Sequence, residues 1–195
     1  MNNLISAYRL GDLVCLSLTN NEINELLNEN PNSIGAKFIY ELNNNPFVNK
    51  FDLITSIVVN ELNNKKFLLP NDIKQSTVIH LRLGDVIAGT TSHESIKRPY
   101  TIEELNELIP PNNKNYIITK NFFAKTSSNN YEECIQKSNE YLNQVITKFN
   151  AIKINNDNAD IDLLCAVQAK YFVQGKGYFS HLIYEIRKRI YKINE

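Results

Sequence analysis

The sequence contains no tryptophan, one methionine and six glycines, and it has no excess of charge of either sign. Lysine plus arginine and aspartate plus glutamate each number 21, so the formal net charge is zero. A neutral chain has no general attraction for nucleic acid or for an anionic membrane surface, and we expect neither as a partner. Any anion that this chain binds must therefore be held by a local group of cations.

Long apolar runs and paired cysteines are also missing. No segment approaches the roughly 18 consecutive apolar residues of a membrane span, and the N-terminus lacks the basic and apolar regions of a signal peptide. The three cysteines, Cys15, Cys134 and Cys165, have no metal-ligand spacing and cannot all pair. The 30 asparagines form no Asn-x-Ser/Thr sequon. These absences predict a soluble, cytoplasmic protein with reduced thiols and no metal site.

Strand and helix patterns alternate from Ser76 onward. The length of 195 residues and the apolar content of 43% are enough for a buried core. The predicted strands are Thr77–Leu83, Tyr116–Thr119, Ala151–Ile154 and Lys170–Gln174, and the predicted helices begin after the Thr101–Glu104 capping box, at Tyr131, at Asp160 and at Ser180. Four such strand–helix units predict a Rossmann-like α/β fold, a parallel sheet with helices on both faces.

Residues 1–75 have a less regular pattern. The segments "NSIGAKFIYEL" and "KFDLITSIVVNEL" are predicted to be helices, whereas "LVCLSL" fits a strand or a helix. We therefore expect two parts, a reduced N-terminal α/β part over residues 1–75 and a Rossmann-like part over residues 76–195.

The predicted strand "VIHLRLGDV" carries a histidine and an arginine. Alternation places Ile79, Leu81 and Leu83 on one face, and His80, Arg82 and Gly84 on the other. Ligands of parallel sheets bind beyond the carboxyl ends of the strands, where a planar guanidinium such as that of Arg82 suits a phosphate. Two structural alternatives remain open, since Arg82 could pair with Asp85 or another acid and His80 could be a hydrogen-bonded core residue.

The segment "KYFVQGKGYFSHLI" predicts a strand, a Gly-x-Gly turn at Gly175–Gly177 and a helix with Ser180 as its N-cap. The start of a helix offers free N–H groups and a positive dipole end to an anion, and Lys176 would add charge. A tight turn without a ligand is the alternative interpretation.

These residues resemble a known family. The pattern His80-x-Arg82-x-Gly84-Asp85 is similar to the His-x-Arg-Arg-Gly-Asp donor motif of the α-1,2-fucosyltransferases and of their α-1,6 and protein O-fucosyltransferase relatives. The stretch from Asp162 to Ser180 resembles that family's late motif, in which an acidic residue starts a helix and Asn-Ser-Thr-Phe-Ser opens the next one. The sequence departs from the family at Leu83, which replaces the second arginine, and at Lys176-Gly177-Tyr178, which replaces Asn-Ser-Thr.

The resemblance implies the C-terminal half of a glycosyltransferase B fold that transfers fucose from GDP-fucose to a glycan hydroxyl, with inversion and without a metal or other cofactor. It implies that Arg82 holds the β-phosphate, while His80 and Gly84 line the nucleotide pocket. Asp162 would accept hydrogen bonds from guanine, and the remaining implied residues lie at the phosphate-facing helix start: Gly177, Phe179 and Ser180. Gly11 and Asp12 resemble the family's N-terminal glycine turn, which would make residues 1–75 the acceptor side.

An inverting transfer needs a base at the acceptor hydroxyl. Asp85 is the nearest carboxylate in sequence to Arg82, Asp12 and His93 are rivals, and Asp85 could instead cap the Gly84 turn. Two other functions remain open, a transferase that uses another nucleotide sugar and a non-catalytic module that binds a nucleotide or a glycan. The sequence does not predict an oligomeric state.

Overall fold

The computed structural model describes residues 10–64, 67–84, 86–87, 98–122, 131–154 and 158–192. The chain forms two compact units that are interleaved in sequence. The first unit comprises Met1–Pro70, Asn156–Val167 and Tyr178–Glu195, and the second comprises Asn71–Asn155 and Gln168–Gly177. The predicted boundary after residue 75 lies near the first junction, but two later segments return to the first unit.

The described residues form eight α-helices and four strands. In chain order these are α1 Leu10–Cys15, α2 Asn20–Glu29, α3 Ile34–Asn44, α4 Lys50–Asn64, β1 Thr77–Gly84, α5 Ile102–Leu108, β2 Asn115–Phe122, α6 Tyr131–Phe149, β3 Ala151–Lys153, α7 Ala159–Gln168, β4 Tyr171–Val173 and α8 Tyr178–Tyr191. A 3₁₀ turn, Ile73–Gln75, precedes β1. Each strand and helix predicted from Ser76 onward is present, with ends that differ by a few residues.

The sheet belongs to the second unit. Its strand order is β3-β2-β1-β4, and all neighbouring strands are parallel. The chain thus moves outward from β1 through β2 to β3 and then returns to place β4 on the other side of β1. This confirms the predicted Rossmann-like α/β fold.

One face of the sheet is covered by α5 and α6. Ile79, Leu81 and Leu83 of β1 belong to a buried cluster that also contains the following residues of α5, α6 and the neighbouring strands: Leu105, Ile109, Ile117, Leu142, Val145, Ala151 and Val173. Helix α5 begins at the predicted capping box, in which the side chain of Thr101 and that of Glu104 each accept a hydrogen bond from the other's backbone N–H. The predicted apolar face of β1 therefore packs in the core, but the opposite face is also buried at Val78 and His80.

The first unit is built from helices. Helices α1 and α4 pack on α8, and α3 packs on α2 and α4. Asparagine side chains lie at the start of two helices of this unit. The side chain of Asn49 accepts hydrogen bonds from two backbone N–H groups of α4. The side chain of Asn158 accepts a hydrogen bond from the N–H of Asp160 in α7. Among the described helices, none has the length and apolar character that a membrane crossing requires.

The expectation of an α/β fold for residues 1–75 is not met in the described part of that segment, which contains helices and no strand. The ambiguous "LVCLSL" begins as the second half of α1 and continues beyond its end at Cys15. Helix α2 was not predicted, although Thr19 and Glu22 form a capping box at its start. All three cysteines are free thiols, as expected.

A buried carboxylate connects α7 to α3. Asp160, which is 3% exposed, accepts the N–H of Ile34, the first residue of α3, at 2.9 Å through Oδ2. Its Oδ1 is buried and has no hydrogen-bond partner among the described residues. Burial raises the pKa of Asp160 from 3.8 to about 6, although the hydrogen bond from Ile34 and the charge of Lys37 act in the opposite direction. The sequence pattern placed Asp160 only at the start of its own helix.

Asp160→Asn should make the stability of the protein less dependent on pH. The pKa of Asp160 is higher in the folded than in the unfolded state, so its ionisation favours the unfolded state. The contribution of Asp160 to the free energy of unfolding therefore falls as the pH rises from about 4 through 6. Asparagine keeps an acceptor for Ile34 and removes the charge. The free energy of unfolding of the variant minus that of wild type should therefore be larger at pH 7.5 than at pH 4. The increase should be at most about 3 kcal/mol, because the pKa of Asp160 is raised by roughly two.

Asp72→Asn is the matched control, because the hydrogen bond from Lys114 lowers the pKa of Asp72 and its removal should have the opposite sign. Urea titrations at both pH values would measure these differences. A difference for Asp160→Asn that does not change with pH would contradict the assignment.

Candidate functional site

The centre of the sheet in the second unit is a topological switch point. Strands β2 and β4 lie on either side of β1. The connection that follows β1 leads to one side of the sheet, toward β2, whereas β4 lies on the other side. A crevice therefore forms between the carboxyl ends of β1 and β4. Ligands of open α/β sheets bind in such a crevice. Here Arg82 and Gly84 end β1, and the turn Gly175–Gly177 follows β4.

The turn after β4 contacts His80 through Gly175. A Cβ atom at Gly175 would lie 2.3 Å from the carbonyl oxygen of His80 and 2.6 Å from its Nδ1. The turn can therefore approach β1 this closely only with glycine at this position. The imidazole of His80 is buried, and burial, followed by the charge of Arg82, lowers its pKa to about 3. His80 is consequently neutral at neutral pH and supports the turn.

Arg82 reaches the same turn at Gly177. A Cβ atom at Gly177 would lie 3.4 Å from Nη1 of Arg82, and the φ angle of Gly177 is +101°, in the region that favours glycine. The structure thus brings together Arg82 and Gly177, two residues that were assigned to the site from separate motifs. The predicted strand end and the predicted glycine turn form one surface.

Two lysines add positive charge to this surface. Lys120 on β2 is the register partner of Arg82 on β1, so the two side chains leave the same face of adjacent strands. Lys176, within the glycine turn, has its Nζ 4.8 Å from the ring centroid of Tyr100. Lys176 was predicted as a site residue, whereas Lys120 was not. The sequence signal for Lys120 was its position directly after the predicted strand Tyr116–Thr119.

Gly84 shapes the end of β1. Its φ angle is +93°, and its carbonyl oxygen accepts the N–H of Ile87 at 3.2 Å. Its own N–H donates to Oγ of Ser138, a fully buried residue on α6, at 3.1 Å. The amide of Gly84 is therefore engaged by the protein, and the implied contact of Gly84 with a nucleotide stays a prediction.

The other implied residues belong to the first unit. A Cβ atom at Gly11 of α1 would lie 2.4 Å from the backbone N of Phe179, so α1 packs directly on the first turn of α8. Ser180 is the third residue of α8 and not its N-cap, because the helix already begins at Tyr178. Its Oγ is buried and has no hydrogen-bond partner in the described part of the chain.

Two acids of the first unit were also candidates. Asp162 is buried on α7. The pKa of the nearby Cys165 thiol is raised mainly by its own burial and secondly by the charge of Asp162. Asp12 lies half-buried on α1. The base candidates Asp85 and His93 lie outside the described residues, so their roles stay predictions.

The surface at the switch point has the chemistry of a phosphate site. A guanidinium presents several N–H donors in a planar fork, and an ammonium group adds a mobile charge. Within the described ranges, no cluster of three or more histidine, cysteine or acidic side chains could hold a metal ion. The cationic groups at this position are Arg82, Lys120 and Lys176.

We compared the chain with protein-family models, with curated proteins and with solved structures, and no match was found. A family assignment therefore has no support beyond the sequence motifs. The function has to be inferred from the chemistry of the site and from the resemblance of those motifs.

Ser138→Ala should destabilise the protein by about 1–3 kcal/mol, because it leaves the buried N–H of Gly84 without an acceptor. Ser56→Ala is the matched control, since Ser56 is an exposed helical serine whose replacement should change stability by less than about 0.5 kcal/mol. Urea unfolding of both variants would test this. Equal effects of the two substitutions would show that Ser138 does not fix the end of β1.

Proposed function

We propose that the carboxyl ends of β1 and β4 bind the diphosphate of a nucleotide sugar and that the protein is a glycosyltransferase. The observation that carries this proposal is the contact between Arg82 and the glycine turn at Gly177, at the switch point of a parallel sheet. A charged fork beside a turn with glycine at positions 175 and 177 is suited to a phosphate group. Lys120 is the register partner of Arg82, and Lys176 belongs to the turn itself.

Transfer of a sugar requires stabilisation of the leaving group. As the bond between the anomeric carbon and the diphosphate oxygen breaks, its electron pair stays on the diphosphate, and the acceptor oxygen bonds to the carbon while its proton passes to a base. Preorganised cations stabilise the charge that develops on the diphosphate. Arg82 is the residue to which we assign this role, because it combines a fixed charge with the contact to the turn.

The donor and acceptor follow from the resemblance to fucosyltransferases. It favours GDP-fucose as the donor and a glycan hydroxyl as the acceptor, with inversion at the anomeric carbon. Its low pKa of about 3 makes the imidazole of His80 a weak base, so we assign His80 a supporting role. Asp85 stays the proposed base because of its position next to Gly84.

Arg82→Lys should lower the turnover of the donor about 100-fold or more, because lysine keeps the charge but loses the planar fork. Arg98→Lys is the matched control. Arg98 belongs to the same unit, is exposed and pairs with Glu104, so its replacement should leave turnover within about twofold. Release of GDP from GDP-fucose and the melting temperature should be measured on the same preparations.

A folded Arg82→Lys protein with near-normal turnover would contradict the proposed role of Arg82. A second result would contradict the transferase proposal: wild-type protein binds GDP but neither transfers nor hydrolyses the donor. The protein would then be a non-catalytic module that binds a nucleotide.

Activity should persist in excess EDTA, because the proposed stabilisation of the diphosphate comes from Arg82 and the two lysines. The measurement is donor turnover after dialysis against EDTA, with and without added Mn²⁺ or Mg²⁺. Turnover that disappears in EDTA and returns only with the metal would overturn this mechanism.

A further inference from the structure

Both the backbone and the side-chain tip of Lys176 are held by other parts of the second unit. Its two neighbours in the turn, Gly175 and Gly177, lie against residues of β1. Its ammonium lies over the ring of Tyr100, and the distance from Nζ to the ring centroid is 4.8 Å. A half-buried lysine whose backbone and tip are both held has less freedom than a lysine on an open surface.

Tyr100 is itself fixed by its surroundings. It lies directly before the Thr101 cap of α5, and its side chain packs against the buried cluster beneath α5 and α6. Its carbonyl oxygen accepts a hydrogen bond from the hydroxyl of Tyr141 at 2.6 Å. The ring therefore offers a fixed aromatic face, which attracts a cation. An ammonium that is already held in this way loses less rotamer freedom when it binds a ligand.

An acid whose pKa is lowered by the charge of Lys176 is already occupied by other donors. Glu104 accepts hydrogen bonds from Arg98 at 2.8 and 2.6 Å and from the N–H of Thr101 at 2.7 Å. The hydrogen bond from Arg98 is the main cause that lowers the pKa of Glu104 to about 2, and the charge of Lys176 contributes least. An ammonium has three donors, so one that lies over a ring keeps donors for an anion on its other side.

We propose that Lys176 contacts the diphosphate and that Tyr100 is the positioning residue that holds its ammonium for this contact. This inference rests on the proposed function, which assigns a diphosphate to the turn Gly175–Gly177. Tyr100 then affects the affinity for the ligand only through Lys176. Inorganic pyrophosphate, which has neither base nor sugar, should depend on this pair of residues as GDP does.

The test is calorimetric titration of the full chain with GDP and with inorganic pyrophosphate. Lys176→Gln should weaken the binding of both about tenfold, because it removes a charge-assisted contact. Tyr100→Leu keeps an apolar side chain but removes the ring, and it should weaken both about two- to fivefold. Tyr100→Phe keeps the ring and should keep both affinities within about twofold of wild type.

The double variant, Tyr100→Leu with Lys176→Gln, separates positioning from a direct contact with the ligand. Once the ammonium is gone, Tyr100→Leu should have no further effect on either affinity. Tyr171→Leu is the matched control, because Nζ of Lys170 lies 5.1 Å from the ring centroid of Tyr171 at the amino end of β4. It removes the same kind of contact away from the turn and should change each affinity by less than about twofold.

Unchanged affinities in Lys176→Gln would overturn this inference, and this variant alone decides the contact if Tyr100→Leu does not fold. Equal losses from Tyr100→Leu in the presence and absence of the ammonium would overturn the positioning role, as would a loss for GDP alone, which indicates stacking on the base. In each of these cases, GDP binding by wild type leaves the proposed function intact. No binding of GDP or of pyrophosphate by wild type would overturn both.

Discussion

The close approach of the turn after β4 to β1 is the constraint on which the candidate site depends. Gly175 lies against the backbone and imidazole of His80, and Gly177 lies beside the guanidinium of Arg82. Any side chain at Gly175 would overlap backbone atoms that cannot move without shifting β1, so the contact fixes the turn relative to the strand. It also excludes water from His80 and keeps that imidazole neutral.

A chain with no net charge acquires a cationic surface through its topology. Parallel register puts Lys120 beside Arg82, and the strand order puts the turn that carries Lys176 on the other side of β1. The concentration of positive charge is therefore local. Ser138 supports the same end of β1 from α6, so the packed face of the sheet positions the charged face.

Local patterns predicted the sheet and most helices, because alternation, capping boxes and glycine turns act over a few residues. They also selected Arg82 and Gly177, which the structure places side by side. Lys120 was not identified in this way, because only the strand register shows that it lies opposite Arg82. Ser180 was misplaced because α8 begins at Tyr178, directly after Gly177 with its positive φ angle and three residues before the start that a cap at Ser180 would give. The contact of Asp160 with α3 likewise depends on tertiary packing.

The most direct test of this account is a crystal structure of the protein grown with GDP. We predict electron density for the diphosphate within about 3 Å of the guanidinium of Arg82, beside the turn at Gly175–Gly177. GDP bound elsewhere, with the guanidinium of Arg82 in contact only with protein groups, would contradict the central claim that this strand end is a phosphate site.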